Sequence, residues 1–279
     1  MYLFNDSNSH ELEPHQLSYE QLLVEITGLS KSLLRPNLTA TISPRHFHLW
    51  SWCAEVILHQ ESEVFDQHTE IELRKLFDAC LRASLVHSSP PKLLQETASR
   101  NVDTYINSSL LILSYLVFPL LEGVCKKLCS DYISMDGMVK KDFNVPSRIR
   151  IDGKTNKGSK NSNSYTPFKA KGKKNQCSSI RDLLLLTELN HPSIGLAEVI
   201  HYIPISHPEQ IPFDVIQDWR NNSLHGSAAY QTIGGTLLNI TLFLLIKTVN
   251  SDTYSYLRRM IMLSKNNDSR NPWSYYPPY

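Results

Sequence analysis

The chain has 279 residues, 41% of them hydrophobic, and a formal net charge of +1, which allows one large domain or two smaller ones and enough apolar mass for a core. Its longest apolar runs, Leu110 to Leu121 and Thr236 to Val249, fall short of the roughly 20 residues a spanning helix needs and read as buried core helices. No basic n-region with an apolar h-region follows Met1, and five cysteines with no CxxC pair suit no disulfide framework, so the expectation is a cytoplasmic protein with reduced thiols and no membrane segment.

From Ser18 the spacing of Leu22, Leu23, Ile26, Leu29 and Leu33 predicts a helix that Pro36 ends. A second opens with Ser43 as N-cap and Pro44 in the first turn, running through Trp50, Cys53, Val56 and Ile57. A third covers Glu70 to Val86, and Pro90-Pro91 interrupts the pattern. A long helical run follows from about 92 to 133, with a break expected near Asn101 and a bend at Pro119, where a backbone donor is missing. Within it Cys125 and Cys129 are spaced to share a helix face, but no partner pair of Cys or His lies nearby, so no metal site is expected.

Lys140 to Lys174 holds eleven Lys or Arg against Asp142 and Asp152, a local excess of nine that leaves minus eight for everything else. The stretch is poor in aliphatics and rich in Gly, Ser and Asn, which predicts a mobile basic insertion at about 135–178. Two readings stand for it. One is an arm that attracts nucleic-acid phosphates, with Lys169, Lys171, Lys173 and Lys174 as candidate RNA contacts and Tyr165 and Phe168 available for base stacking. The other is a solvated insertion between helices.

Further helices are expected from Ser178 or Ser179 to Leu189, from Ile194 to Tyr202, from Pro212 through Arg220, from Tyr230 to Asn250 and from Thr253 to Ser264. No strand alternation is sustained over six residues, and no GxGxxG or GxxxxGK loop occurs. The fold class is therefore all-α. The expected organisation is an N-terminal helical region over 1–98, a helical domain over 99–265 carrying the basic insertion, and a loose C-terminal tail over 266–279 that is rich in Pro and Tyr.

The chemistry concentrates in Arg220-Asn221-Asn222-Ser223-Leu224-His225-Gly226. Arg, four residues and His is a weak pattern by itself, since Arg82 and His87 repeat it on an ordinary helix end. The later copy adds Asn221 after the arginine and Gly226 after the histidine, where a glycine favours a helix stop. In a helix Asn221 and His225 lie about 40° apart and Arg220 about 140° from His225, within reach of a long guanidinium stem. Without further context the segment also fits a helix C-terminus with a favourably placed histidine.

This segment resembles the signature of HEPN domains, in which many ribonuclease members carry Arg, four to six residues, and His, often with Asn after the Arg and Gly after the His. The resemblance covers about 99–265 and implies a bundle of four or five helices, with residues 1–98 as an additional helical region. It implies a metal-independent endoribonuclease without a cofactor, working as a homodimer on RNA, and a toxin or antiphage defence effector by role, with an antitoxin or regulatory protein as a further partner. His225 would be general acid or base, Arg220 would stabilise charge on the phosphoryl oxygens, Asn221 would orient imidazole or phosphate, and Glu122 would contact Arg220. The alternative is a catalytically inert HEPN-like module that binds RNA or protein.

Overall fold

The computed structural model describes residues 13–33, 42, 44–60, 65, 71–86, 100–148, 164–171, 175–205, 210–224, 230–267 and 275–277. Its helices are α1 Tyr19–Leu33, α2 Pro44–His59, α3 Ile71–Val86, α4 Arg100–Leu128, α5 Ile180–Asn190, the single-turn α6 Ala197–Ile200, α7 Pro212–Leu224, α8 Tyr230–Lys247 and α9 Ser251–Asn267. Two four-residue strands, β1 Phe143–Pro146 and β2 Tyr165–Phe168, pair antiparallel with Phe143 opposite Phe168. The architecture is the expected helical bundle, and this small hairpin is the correction to an all-α reading. Four residues are too few for strand alternation to register, yet Phe143, Val145 and Phe168 bury one face of it.

Helix boundaries follow local chemistry. Ser179 caps α5 by accepting from the Asp182 N–H, and Pro212 opens α7 where its missing donor costs nothing. Pro119 lies inside α4, which begins at Arg100, next to the break expected near Asn101; residues 87–99 before it lie outside the described ones. The helix also continues beyond Leu121, so Ser108–Leu128 is long and apolar enough to cross a membrane, with 61% of its apolar window buried in the protein. That corrects the reading of Leu110 to Leu121 as a short run.

Contacts divide the chain into two compact units, Met1–Val117 with Ala229–Tyr279, and Phe118–Ala228. The boundary expected at 98 is not where they divide it, because α8 and α9, late in sequence, pack on α1 and α2. In the first unit α8 is apolar on every side, as a helix enclosed by others must be. One polar side chain on it, the fully buried Asn239, accepts from Trp50 Nε1 at 2.9 Å and donates to the Ile26 carbonyl at 2.9 Å and to Ser30 Oγ at 2.6 Å. It thereby ties α8 to α1 and α2 at once. Tyr275 and Tyr276 are buried in this unit, so that part of the tail is docked and not loose.

In the second unit α5 packs against α7 and β1. The flanks of the basic stretch are ordered: Phe143 and Phe168 stack at 4.7 Å, and bridges join Ile133 to Val139 and Met138 to Gln176. Gly137 sits at φ 87°, with Cys177 O only 3.0 Å from where a Cβ would be, so a glycine is required at this turn. The insertion is thus shorter than the expected 135–178, because its apolar residues pair at its base; residues 149–163 and 172–174 lie outside the described ones.

All five cysteines are free and buried, and burial pushes the Cys80 and Cys177 thiols up to about 12. Since the thiolate is the reactive form, native protein at pH 8 is expected to give fewer than one equivalent of fast thiol with Ellman's reagent, and five after denaturation in guanidinium. Replacement Asn239→Ala strands the Trp50 donor and removes the amide donor shared by the Ile26 carbonyl and Ser30 Oγ, and is expected to cost about 2–4 kcal/mol, read by urea unfolding.

Candidate active site

The site lies in the second unit, where α7 carries the Arg220 segment. Val215 and Ile216 bury one side of the helix, leaving Asp214, Gln217, Asp218 and Asn221 along the other at spacings that align on a helix. The helix start is fixed by Asp214. Its Oδ2 accepts from the Ile211 N–H at 3.2 Å, the reach-back of an N3 acid, while its Oδ1 accepts from Arg181 Nε on α5. Arg181 and Asp214 are each 3% exposed. Arg181 Nη1 also bonds Asp182 at 2.8 Å, and Arg148 bonds Asp218 at 2.6 Å.

One and a half turns further on, Arg220 is partly exposed. Its Nη1 donates to the Ser178 carbonyl at 3.1 Å and its Nη2 lies 3.4 Å from Glu122 Oε2. Glu122 Oε1 is 2.9 Å from Lys126 Nζ one turn along α4, and Lys126 donates in turn to the Met135 carbonyl at 3.1 Å. Glu122 is therefore shared by two cations. Asn221 is exposed, and its Oδ1 accepts from Gln217 Nε2 at 3.1 Å. The other end of that amide, Gln217 Oε1, accepts from Ser179 Oγ at 3.0 Å and faces the Arg181 N–H at 3.4 Å. With its oxygen occupied, Asn221 turns its amide N–H groups away from Gln217, as donors.

Of the residues singled out in the sequence, Arg220 and Glu122 thus come together across 98 positions of sequence, while Asn221 is engaged by Gln217 on its own helix. His225 and Gly226 lie outside the described residues, as do Lys173 and Lys174. Lys169 forms an ion pair with Asp142 at 2.9 Å. The Ala170 N–H and Lys169 hold the Asp142 carboxyl below its ordinary range, so Lys169 closes the hairpin base. Lys171 is exposed. His191 is also structural: its Nε2 lies 2.8 Å from the Leu128 carbonyl at the end of α4. Among the described residues no group of three or more His, Cys, Asp or Glu is placed to hold a metal ion.

Sequence reasoning missed Lys126, Arg148, Arg181, Asp214 and Gln217. The spacing of Glu122 to Lys126 and of Gln217 to Asn221 is the i, i+4 signal that would have found two of them. Asp214, two residues after Pro212, carries the N3 signature that would have found a third. Nothing local marks the Arg181 and Arg148 partners, which are set by tertiary packing. No family model, curated protein or solved structure matches this chain.

Because breaking a buried ion pair leaves one charge without its partner, Arg181→Met is expected to destabilise the protein by about 3–5 kcal/mol in urea unfolding. Gln217→Ala, at a more exposed position, is expected to cost under about 1.5 kcal/mol in the same measurement.

Proposed function

We propose that this chain is a HEPN-like, metal-independent endoribonuclease that works as a homodimer, with a toxin or antiphage defence role. The observation that carries the reading is the meeting of Arg220 with Glu122, 3.4 Å apart, beside an Asn221 set to donate. A guanidinium held by one carboxylate and one carbonyl, and still partly exposed, is available to a phosphoryl group. Lys126, on the same carboxylate, adds a second positive charge nearby.

In this reading an RNA 2′-hydroxyl attacks the adjacent phosphate and displaces the 5′-oxygen of the next nucleotide. His225 removes or returns the proton, since an imidazole with an ordinary pKa of about 6.5 does both near neutrality. Arg220 and the Asn221 amide stabilise the charge that grows on the phosphoryl oxygens, and Glu122 keeps the guanidinium oriented between turnovers. A second chain that meets α7 beside the partly exposed Arg220 would complete the cleft.

Purified protein is expected to cleave RNA in excess EDTA, leaving 2′,3′-cyclic phosphate ends. Arg220→Ala and His225→Ala are each expected to lower the single-turnover rate by about 10²- to 10⁴-fold, with circular dichroism unchanged. Full activity in either variant removes the proposed site, and RNA binding without cleavage by the unmodified chain favours the inert binding module instead.

A further inference from the structure

The end of the chain is held in the first unit by a set of contacts more selective than apolar burial. Tyr275 and Tyr276 are 7% and 5% exposed. Their two consecutive backbone N–H groups donate to one carboxylate oxygen, Glu55 Oε1, that of Tyr276 at 3.0 Å. The Tyr276 carbonyl accepts from Lys265 Nζ, which also reaches Glu55 Oε1 at 3.4 Å. A carboxylate and an ammonium side by side thus read the N–H and C=O of a bent segment, whose two adjacent N–H groups converge on one oxygen, and fix its direction.

The Tyr276 ring enters an enclosure of His15, His48 and Trp52, with centroids at 5.8, 6.4 and 5.3 Å, each edge to face. Such crossings are the favourable geometry for aromatic pairs. At the bottom, the phenol lies 2.9 Å from Glu13 Oε2 and 2.9 Å from His15 Nδ1. A hydroxyl has one proton, so it donates to the carboxylate and accepts from the imidazole N–H. A phenylalanine would fill the same space and satisfy neither group.

Glu55 itself is 3% exposed on α2. Burying a carboxylate is costly unless donors surround it, and two of the donors it uses come from the tail. The unit therefore carries an acceptor whose natural complement is a pair of adjacent peptide N–H groups.

We propose that the first unit is a peptide-recognition module for a bent Tyr-Tyr segment, read through its main chain by Glu55 and Lys265 and through the second phenol by Glu13 and His15. The chain's own Tyr275-Tyr276 fills the site in cis as a displaceable ligand. The same sequence supplied in trans competes for it, against an effective local concentration on the order of millimolar for a tethered ligand.

The test uses the full chain and a labelled synthetic peptide of residues 270–279. Tyr276→Ala empties the phenol pocket, and this variant is expected to bind the peptide at least tenfold more tightly than the unmodified chain. A peptide with Phe in place of Tyr276 is expected to bind it about tenfold or more less tightly, the loss of a hydrogen bond to a charged group. Glu13→Gln in the same background tests the pocket at a half-exposed position that folding tolerates, and is expected to narrow the gap between the two peptides. A folded Tyr276→Ala chain that binds neither peptide, or both equally, overturns the proposal. The unmodified chain gives an independent arm: millimolar peptide is expected to speed hydrogen exchange at the Tyr275 and Tyr276 amides, and unchanged exchange also overturns it.

Discussion

The buried pair of Arg181 and Asp214 is the constraint on which the candidate site depends. Two charged groups at 3% exposure would cost several kcal/mol each to desolvate unless their hydrogen bonds were made. Here the carboxylate takes Arg181 on one oxygen and the Ile211 N–H on the other, and the guanidinium also reaches Asp182. The pair is therefore tolerable in one register only. Turning α7 by one residue rotates Asp214 by about 100° away from α5, which takes the buried carboxylate off Arg181 and leaves the guanidinium with Asp182 only. Arg220, six residues on, lies about 9 Å further along the same axis, so the pair that fixes the helix start also fixes where the guanidinium emerges.

What emerges is a second, different kind of pairing. Glu122, Lys126 and Arg220 are partly exposed, Arg220 the most of the three, so the cluster is in closer reach of water than Arg181 and Asp214. A carboxylate there orients its cations without trapping them. Two positive charges on one negative leave the cluster with a net charge of one, and in the proposed reading a phosphate takes over part of what the carboxylate holds. The deep pair sets position and the shallow one leaves the arginine free to change partner. Gln217 ties the start of α5 to Asn221, because one end of its amide is held by Ser179 and the other by Asn221.

Most of the helices were legible in the sequence because their signals are local. The stripe from Leu22 to Leu33, Pro44 and Pro212 at helix starts and Ser179 as a cap each act within a turn or two. The division into units was not legible, since α8 and α9 return to α1 and α2 by packing, which leaves no mark at the boundary. The hairpin was hidden by its length and by the lysines around it; Phe143 and Phe168 stack, but they stand 25 positions apart in a stretch whose composition reads as loop. At the site, Arg220, Asn221 and Glu122 were found from the motif and from an acid at the edge of an apolar run. Arg148 and Arg181 look like ordinary surface cations until their aspartates are placed beside them in space.

The tail shows why composition misled in the other direction. Pro-rich and Tyr-rich ends read as loose because nothing in them is periodic, yet a segment of two residues is held if it meets a buried acceptor. Asp214 and Glu55 pose the same physical problem, a carboxylate out of water, and the chain answers it twice. For Asp214 the donor is a guanidinium rooted in α5, which cannot leave without breaking the contact between α5 and α7. For Glu55 two of the donors are main-chain groups of Tyr275 and Tyr276, which belong to no described helix or strand. A partner of the first kind is bound to the fold. One of the second kind needs only another segment with the same two N–H groups and the same phenol to be exchanged.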